Sequence, residues 1–110
     1  MATQLAVRDP LVALSSPRRR EIIRLVWSEE RSAGAIAQAF DVSWPAISQN
    51  LRVLKDAGLV IERRRGTSRL YKADRQALKP LESYLRGMWS RNTDRLRLLA
   101  EAEERSRSKS

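Results

Sequence analysis

The chain has 110 residues, enough for one domain with a modest core, and carries 22 Lys and Arg against 13 Asp and Glu, a formal charge of +9. It has no cysteine and no histidine, which excludes disulfides and thiol chemistry and removes the ligands that transition metals prefer. No apolar run reaches the roughly 18 residues of a membrane span, and the N-terminus lacks a basic segment followed by an apolar core; the expectation is a cytoplasmic protein with no membrane partner.

The charge is uneven. Residues 1–42 hold 6 basic and 5 acidic side chains, residues 43–72 hold 7 and 2, and residues 73–110 hold 9 and 6. The excess therefore peaks over 43–72, which favours a polyanionic partner there.

Met1 to Arg8 is weakly patterned and expected to fray. Asp9-Pro10 opens a short helix over Pro10 to Leu14. Ser15 or Ser16 caps a second, with Pro17 in its first turn. Ile22, Ile23, Leu25, Val26 and Trp27 face a core, while Arg18, Arg19, Arg20 and Arg24 read mostly as a solvated face, with some within reach of phosphate. Ser28 to Arg31 is a polar loop. Ser32 caps a third helix that runs to about Phe40, kept thin by Ala33, Ala35, Ala37 and Ala39.

Only Asp41-Val42 separates that helix from the next, SWPAISQNLRVLKDAG. Ser43 caps it, Pro45 sits just inside, and Gly58 stops it. Two helices across so short a turn form a helix-turn-helix over 32–57, with Val42 plugging the angle and Ile36, Ala37, Ile47 and Leu51 as shared core. Ile47, Leu51 and Leu54 share one face. The other face carries Pro45, Ser48, Gln49, Arg52 and Asp56, with Lys55 beside it. Short polar groups come first and cations later, as a helix entering the major groove by its N-terminal half requires. The candidate readers and phosphate contacts are Ser43, Trp44, Pro45, Ser48, Gln49, Arg52 and Lys55.

Leu59-Val60-Ile61 is a short strand, Glu62 to Arg65 is charged, Gly66-Thr67-Ser68 is a turn, and Leu70-Tyr71 begins a return strand ending near Ala73. Such a hairpin, over 59–73, is not stable alone. Arg63, Arg64, Arg65 and Arg69 surround its tip, more cations than edge protection needs. With Thr67 they make a candidate DNA-contacting wing, and Glu62 is the hairpin's only acid.

Asp74 caps a last helical region, 74–104, with Pro80 in its first turn or at a break. Leu78, Leu81, Leu85 and Met88 follow the 3-4-3 spacing of a helix–helix seam. Leu96 and Leu99 resume it after Asn92 and Arg95. A small domain cannot cover so long a stripe, and a second copy of the chain is the simplest cover. Residues 105–110, RSRSKS, read as a disordered basic tail.

This order of elements resembles the ArsR-type family of bacterial winged-helix repressors, over roughly Leu11 to Leu99. The stretches LSSPRRREIIRLV, AIAQAFDVSWPAISQNLRVLKDAGLV and RRRGTSRLYK carry the resemblance. It implies a mostly α, winged helix-turn-helix domain over 1–104 with helical dimerisation elements at both ends. It also implies a homodimer that blocks transcription at a palindromic operator. The first and last helices would supply the interface: Leu11, Leu14, Leu81, Leu85, Met88, Trp89 and Leu96. The family is best known for releasing DNA when metal binds, and here the chain departs. The positions matching its sensor thiols are Ser32 and Gly34, and the site on the last helix needs histidines. Carboxylates such as Glu82 or Asp94 are poor substitutes.

The expectation is therefore a dimeric regulator of double-stranded DNA with no metal or other cofactor. Any effector would be an organic ligand or a protein. Trp27, Trp44 and Trp89 are candidates for an organic-ligand pocket, although core packing is the simpler use of them. A non-specific architectural protein would use the same basic wing, and a winged helix used only for protein contacts ranks third. An enzyme ranks last, because the sequence offers no nucleophile–base pair or metal site to carry chemistry.

Overall fold

A computed structural model of the chain describes residues 9–91 and 98–104. The elements are α1 (Pro10–Ala13), α2 (Pro17–Leu25), β1 (Arg31–Ser32), α3 (Ala33–Ala39), α4 (Trp44–Asp56), β2 (Val60–Arg65), β3 (Ser68–Ala73), α5 (Arg75–Leu78), a 3-10 turn (Lys79–Leu81) and α6 (Glu82–Ser90). Residues 98–104 are again helical. Helices dominate and the strands form one antiparallel sheet in the order β1-β3-β2, the winged helix-turn-helix architecture. The expectations for Met1 to Arg8, for Asn92, Asp94, Arg95 and Leu96, and for the tail 105–110 lie outside the described residues.

The helix starts follow from local chemistry. Ser16, Ser32, Ser43 and Asp74 each accept, through a side-chain oxygen, from the backbone N–H three residues on, at 3.1–3.3 Å. Those N–H groups have no partner inside their own helix. The end of α4 is equally well defined. Leu59 N–H donates to Leu54 O and Gly58 N–H to Lys55 O, both at 2.9 Å. Gly58 adopts φ 75°, the left-handed turn that closes a Schellman motif. Leu59 then packs back on Leu54, both fully buried.

The core gathers Ile22, Ile23 and Val26 from α2, Ile36 from α3, Ile47, Leu51 and Leu54 from α4, and Val60, Tyr71 and Ala73 from the sheet. Ala37, Phe40 and Val42 pack against it half-buried, as the helix-turn-helix spacing requires. The hairpin is moored at its base, where Ala73 N–H donates to Val26 O at 3.0 Å and Asp74 N–H to Leu59 O at 2.9 Å.

Four expectations are corrected. First, the expected loop ends before Arg31, which with the cap residue Ser32 forms a third strand, pairing Arg31 with Tyr71 and Ser32 with Leu70; two residues are too few to show a periodicity. Second, the strands run on through the arginines to the Gly66-Thr67 turn. Third, the basic run on α2 is not a solvated face. Arg20 is only 5% exposed and its Nη1 donates to Leu14 O at 2.6 Å. Arg19 is half-buried on backbone carbonyls and Asn50, and Arg18 lies 3.8 Å from Glu101. Long guanidinium side chains can bury their stems while their donors find carbonyls. Of the four, Arg24 is exposed.

The fourth concerns the apolar seam. Pro80 sits in the 3-10 turn just before α6, as a break there requires, but much of the apolar stripe of the 9-residue α6 is used inside the chain. Leu85 is 0% exposed and Leu14 2%, so neither offers its side chain to a partner. Trp89 is half-buried, its Nε1 donating to Arg20 O at 3.2 Å and its ring edge-on to Trp27 at 5.4 Å. Leu81 and Met88 are half-buried, and Leu11 is 64% exposed. The tryptophans do not line one pocket: Trp27 is covered by Trp89 and the Arg75 guanidinium at 4.6 Å, while Trp44 is exposed at the start of α4. Leu85→Ala should therefore cost about 2–5 kcal/mol of unfolding free energy. Chemical denaturation checks this, and a loss below about 1 kcal/mol would remove Leu85 from the core.

Candidate nucleic-acid interface

The exposed face of α4 follows from what the helix buries. With Ile47, Leu51 and Leu54 inward, Trp44, Pro45, Ser48, Gln49, Arg52 and Lys55 are all exposed, as is the cap Ser43. Asn50, although next to Gln49, points elsewhere: its Nδ2 donates to Ala46 O at 2.9 Å and its Oδ1 accepts from Arg19 Nη1 at 3.2 Å.

The register of the wing sorts its side chains. Glu62 lies opposite Tyr71, Arg63 opposite Leu70, Arg64 opposite Arg69 and Arg65 opposite Ser68. Alternation puts Glu62, Arg64, Arg69 and Tyr71 on one face and Arg63 and Arg65 on the other. Two arginines directly opposed on a ladder are unfavourable by themselves, and an anion between or beside them relieves the repulsion. Ser48, Leu51, Arg52 and Lys55 of α4 and Glu62, Arg69 and Tyr71 of the wing line one cleft of about 360 Å³. α4 and the wing thus share one mainly basic groove.

Two acids decide which cations remain available. Glu62 accepts from Tyr71 Oη at 2.6 Å and from Lys55 Nζ at 3.3 Å, tying β2 to β3 and to α4. The Tyr71 hydrogen bond, then Lys55, hold the Glu62 carboxyl below its ordinary pKa against the opposing effect of burial. Burial and the Glu62 hydrogen bond push the Tyr71 phenol up to about 12. Outside the hairpin, Glu30 takes two donors from Arg63, Nε at 2.9 Å and Nη2 at 2.5 Å. That contact, chiefly its hydrogen bonds, lowers the Glu30 pKa and raises that of Arg63. Arg63 and Lys55 are therefore engaged by carboxylates. Arg64 and Arg65 are exposed with no ion pair among the described residues.

The sequence profile of the arsR family of bacterial regulatory proteins matches residues 16–62, from the cap of α2 to the first half of β2. The HTH-type transcriptional regulator Rv2034 of Mycobacterium tuberculosis (strain ATCC 25618 / H37Rv) is 39% identical over 79 residues, 72% of this chain and 74% of that protein. The chain belongs to the arsR family. Its winged helix-turn-helix is accordingly the DNA-binding unit of a transcriptional regulator, not of an enzyme. Transcriptional repressor SdpR of Bacillus subtilis (strain 168) is 41% identical over 54 residues, 49% of this chain and 60% of that one. The solution structure of a homodimeric winged helix-turn-helix DNA-binding domain from Mycobacterium bovis, described as a possible ArsR-family regulator, superposes with a TM-score of 0.66. It is 30% identical, over 84% of this chain and 83% of that one.

The residues present do not fit the metal-sensing chemistry of the ArsR type. Ser32 spends its Oγ on the cap of α3, accepting from Ala35 N–H at 3.1 Å, and Gly34 has no side chain. Among the described residues no three carboxylates gather closely enough to hold an ion.

Glu30, Glu62 and Tyr71 are the positions that the sequence reading did not single out as part of this interface, nor did it single out Asn50 behind it. Tyr71 and Glu62 could have been paired by counting back from the Gly66-Thr67 turn; Glu30 and Asn50 give no local signal. The lowered Glu62 pKa contributes stability that is full above the ordinary carboxylate value and is lost as pH falls from there through the lower folded-state pKa. Tyr71→Phe removes the principal donor, so the Glu62 titration midpoint should move up, read by carboxyl-carbon NMR. An unchanged midpoint would show that Tyr71 is not what holds Glu62 ionised.

Proposed function

We propose that this chain is a homodimeric, sequence-specific repressor in the cytoplasm, binding double-stranded DNA at a palindromic operator without a metal effector. The observation that carries it is the shared groove: the exposed polar face of α4 and the inner face of the wing line one cleft. Ser48 and Gln49 present hydrogen-bonding groups of the kind that read base edges, with Ser43, Trp44 and Pro45 at the entering end. Arg52, Arg64, Arg65, Thr67 and Arg69 are the phosphate side, Lys55 and Arg63 joining once a phosphate outcompetes Glu62 and Glu30. The likeness to a homodimeric domain and to a repressor supports the assembly and the sign of regulation. A purely architectural role would use the arginines but leave Gln49 without a task. Composition supports the absence of a metal effector, because there is no thiolate or imidazole to ligate one. An effector would be an organic ligand or a protein.

Gln49→Ala should cost about 1–3 kcal/mol on the best site and relax preference at one or two base pairs, whereas Arg64→Ala should weaken all sequences alike and reduce the salt slope by about 1. Titration of both variants against operator and unrelated duplex tests the division of labour. Equal losses on all sequences for Gln49→Ala would show that it reads nothing. Titrating the parent with zinc, cadmium and arsenite added should give unchanged affinity; release by any of them would overturn the metal-free reading.

The dimer surface is assigned to exposed apolar side chains of the first and last helical regions, Leu11 and Val12 on α1 and Tyr84 on α6, with Met88 half-buried beside it on α6. Because Leu11 is exposed, Leu11→Asp leaves the core intact but sets two carboxylates in a two-fold seam. Sedimentation should then show folded monomers, and operator affinity should fall towards the non-specific level, since one monomer reaches one half-site. A Leu11→Asp dimer of parental strength would place the interface elsewhere.

A further inference from the structure

Outside the groove, Arg19 donates to three acceptors on two elements. Its Nε donates to Ala13 O at 2.6 Å and its Nη2 to Val12 O at 3.4 Å. These carbonyls lie at the end of a four-residue helix; Val12 O also accepts from Ser15, its N–H at 3.1 Å and its Oγ at 2.6 Å. Its Nη1 crosses to Asn50 Oδ1 at 3.2 Å. Asn50 in turn is fixed by its own donation to Ala46 O at 2.9 Å, so its amide has one acceptable orientation. Asn50 sits between Gln49 on the exposed face and Leu51 in the core. Val12, whose carbonyl Arg19 grips, has its own side chain exposed next to Leu11.

We propose that Arg19 is a positioning residue that couples α1 to the recognition helix, so that packing of α1 against a partner subunit sets how Ser48 and Gln49 are presented to DNA. The inference rests on the dimeric operator-binding reading above. The planar fork of a guanidinium reaches both ends of this link at once; an ammonium, a single point of charge, does not. Spending Nε, Nη1 and Nη2 on protein acceptors also makes Arg19 a poor phosphate contact.

The test uses the full chain, with Arg19→Gln, Asn50→Ala and the double variant titrated against operator and unrelated duplex over a range of salt. Each single variant should lower the operator-over-unrelated preference about tenfold, equivalent to about 1.4 kcal/mol, with the salt slope and the dimer unchanged. The double variant should lose no more than the worse single one, because both cut the same link. Losses that multiply in the double variant would overturn the coupling. So would equal losses on both duplexes, the signature of a merely structural role, or a slope reduced by about 1, the signature of a phosphate contact. Should Arg19→Gln fail to fold, Asn50→Ala alone must still lower the preference at constant slope. A parent without preference would sink the operator reading itself, an outcome distinct from a parent with preference that the variants leave intact.

Discussion

Burial of Ile47, Leu51 and Leu54 fixes which face of α4 points outward. A 13-residue helix is marginal in isolation, so α4 exists because its apolar stripe is covered by α2, α3 and the base of the wing. Each such side chain contributes about 1.5–3 kcal/mol, and the three together match much of a small domain's whole stability of about 5–15 kcal/mol. The helix cannot rotate to hide Gln49 or expose Leu51 without surrendering that term. The cap at Ser43 and the Schellman closure at Gly58 then set its length.

Charge is handled by a second layer of constraint. The wing carries more cations than its strands tolerate comfortably, including Arg64 directly opposite Arg69. Glu30 and Glu62 neutralise two of the neighbours, Arg63 and Lys55. These exposed or half-exposed pairs contribute little to stability. Glu62, reaching both Tyr71 and Lys55, ties the wing to α4, while Glu30 ties Arg63 of β2 to the segment before β1. Release of Glu62 or Glu30 by an arriving phosphate would trade one anion for another in the same place. The groove is thus shaped before DNA arrives at little electrostatic cost.

Much of this was legible in the sequence. The helix starts at Ser16, Ser32, Ser43 and Asp74, the stop at Gly58, the turn at Gly66 and the inward triad of α4 are local signals, and each element stands where its signal put it. The basic run of α2 looks like a solvated face until the carbonyls it meets are known, and those lie at the end of α1 and on its cap residue Leu14. Leu85 was assigned to a partner because 3-4-3 spacing reports a stripe without saying what covers it. Arg19 with Asn50, and Arg63 with Glu30, join residues 31 and 33 apart, and no periodicity announces a contact of that kind. Strand β1 was too short to carry any pattern.

The central claim is that the groove between α4 and the wing reads sequence as well as charge. Its most direct test is the affinity of the purified protein for fragments it selects from its source genome, against unrelated duplex of equal length, at about 0.15 M salt. A preference of about 10³-fold or more, with backbone protection in two symmetric half-sites about one helical turn apart, is the predicted result. Binding that scales with fragment length alone, with no preferred site and uniform protection, would contradict it.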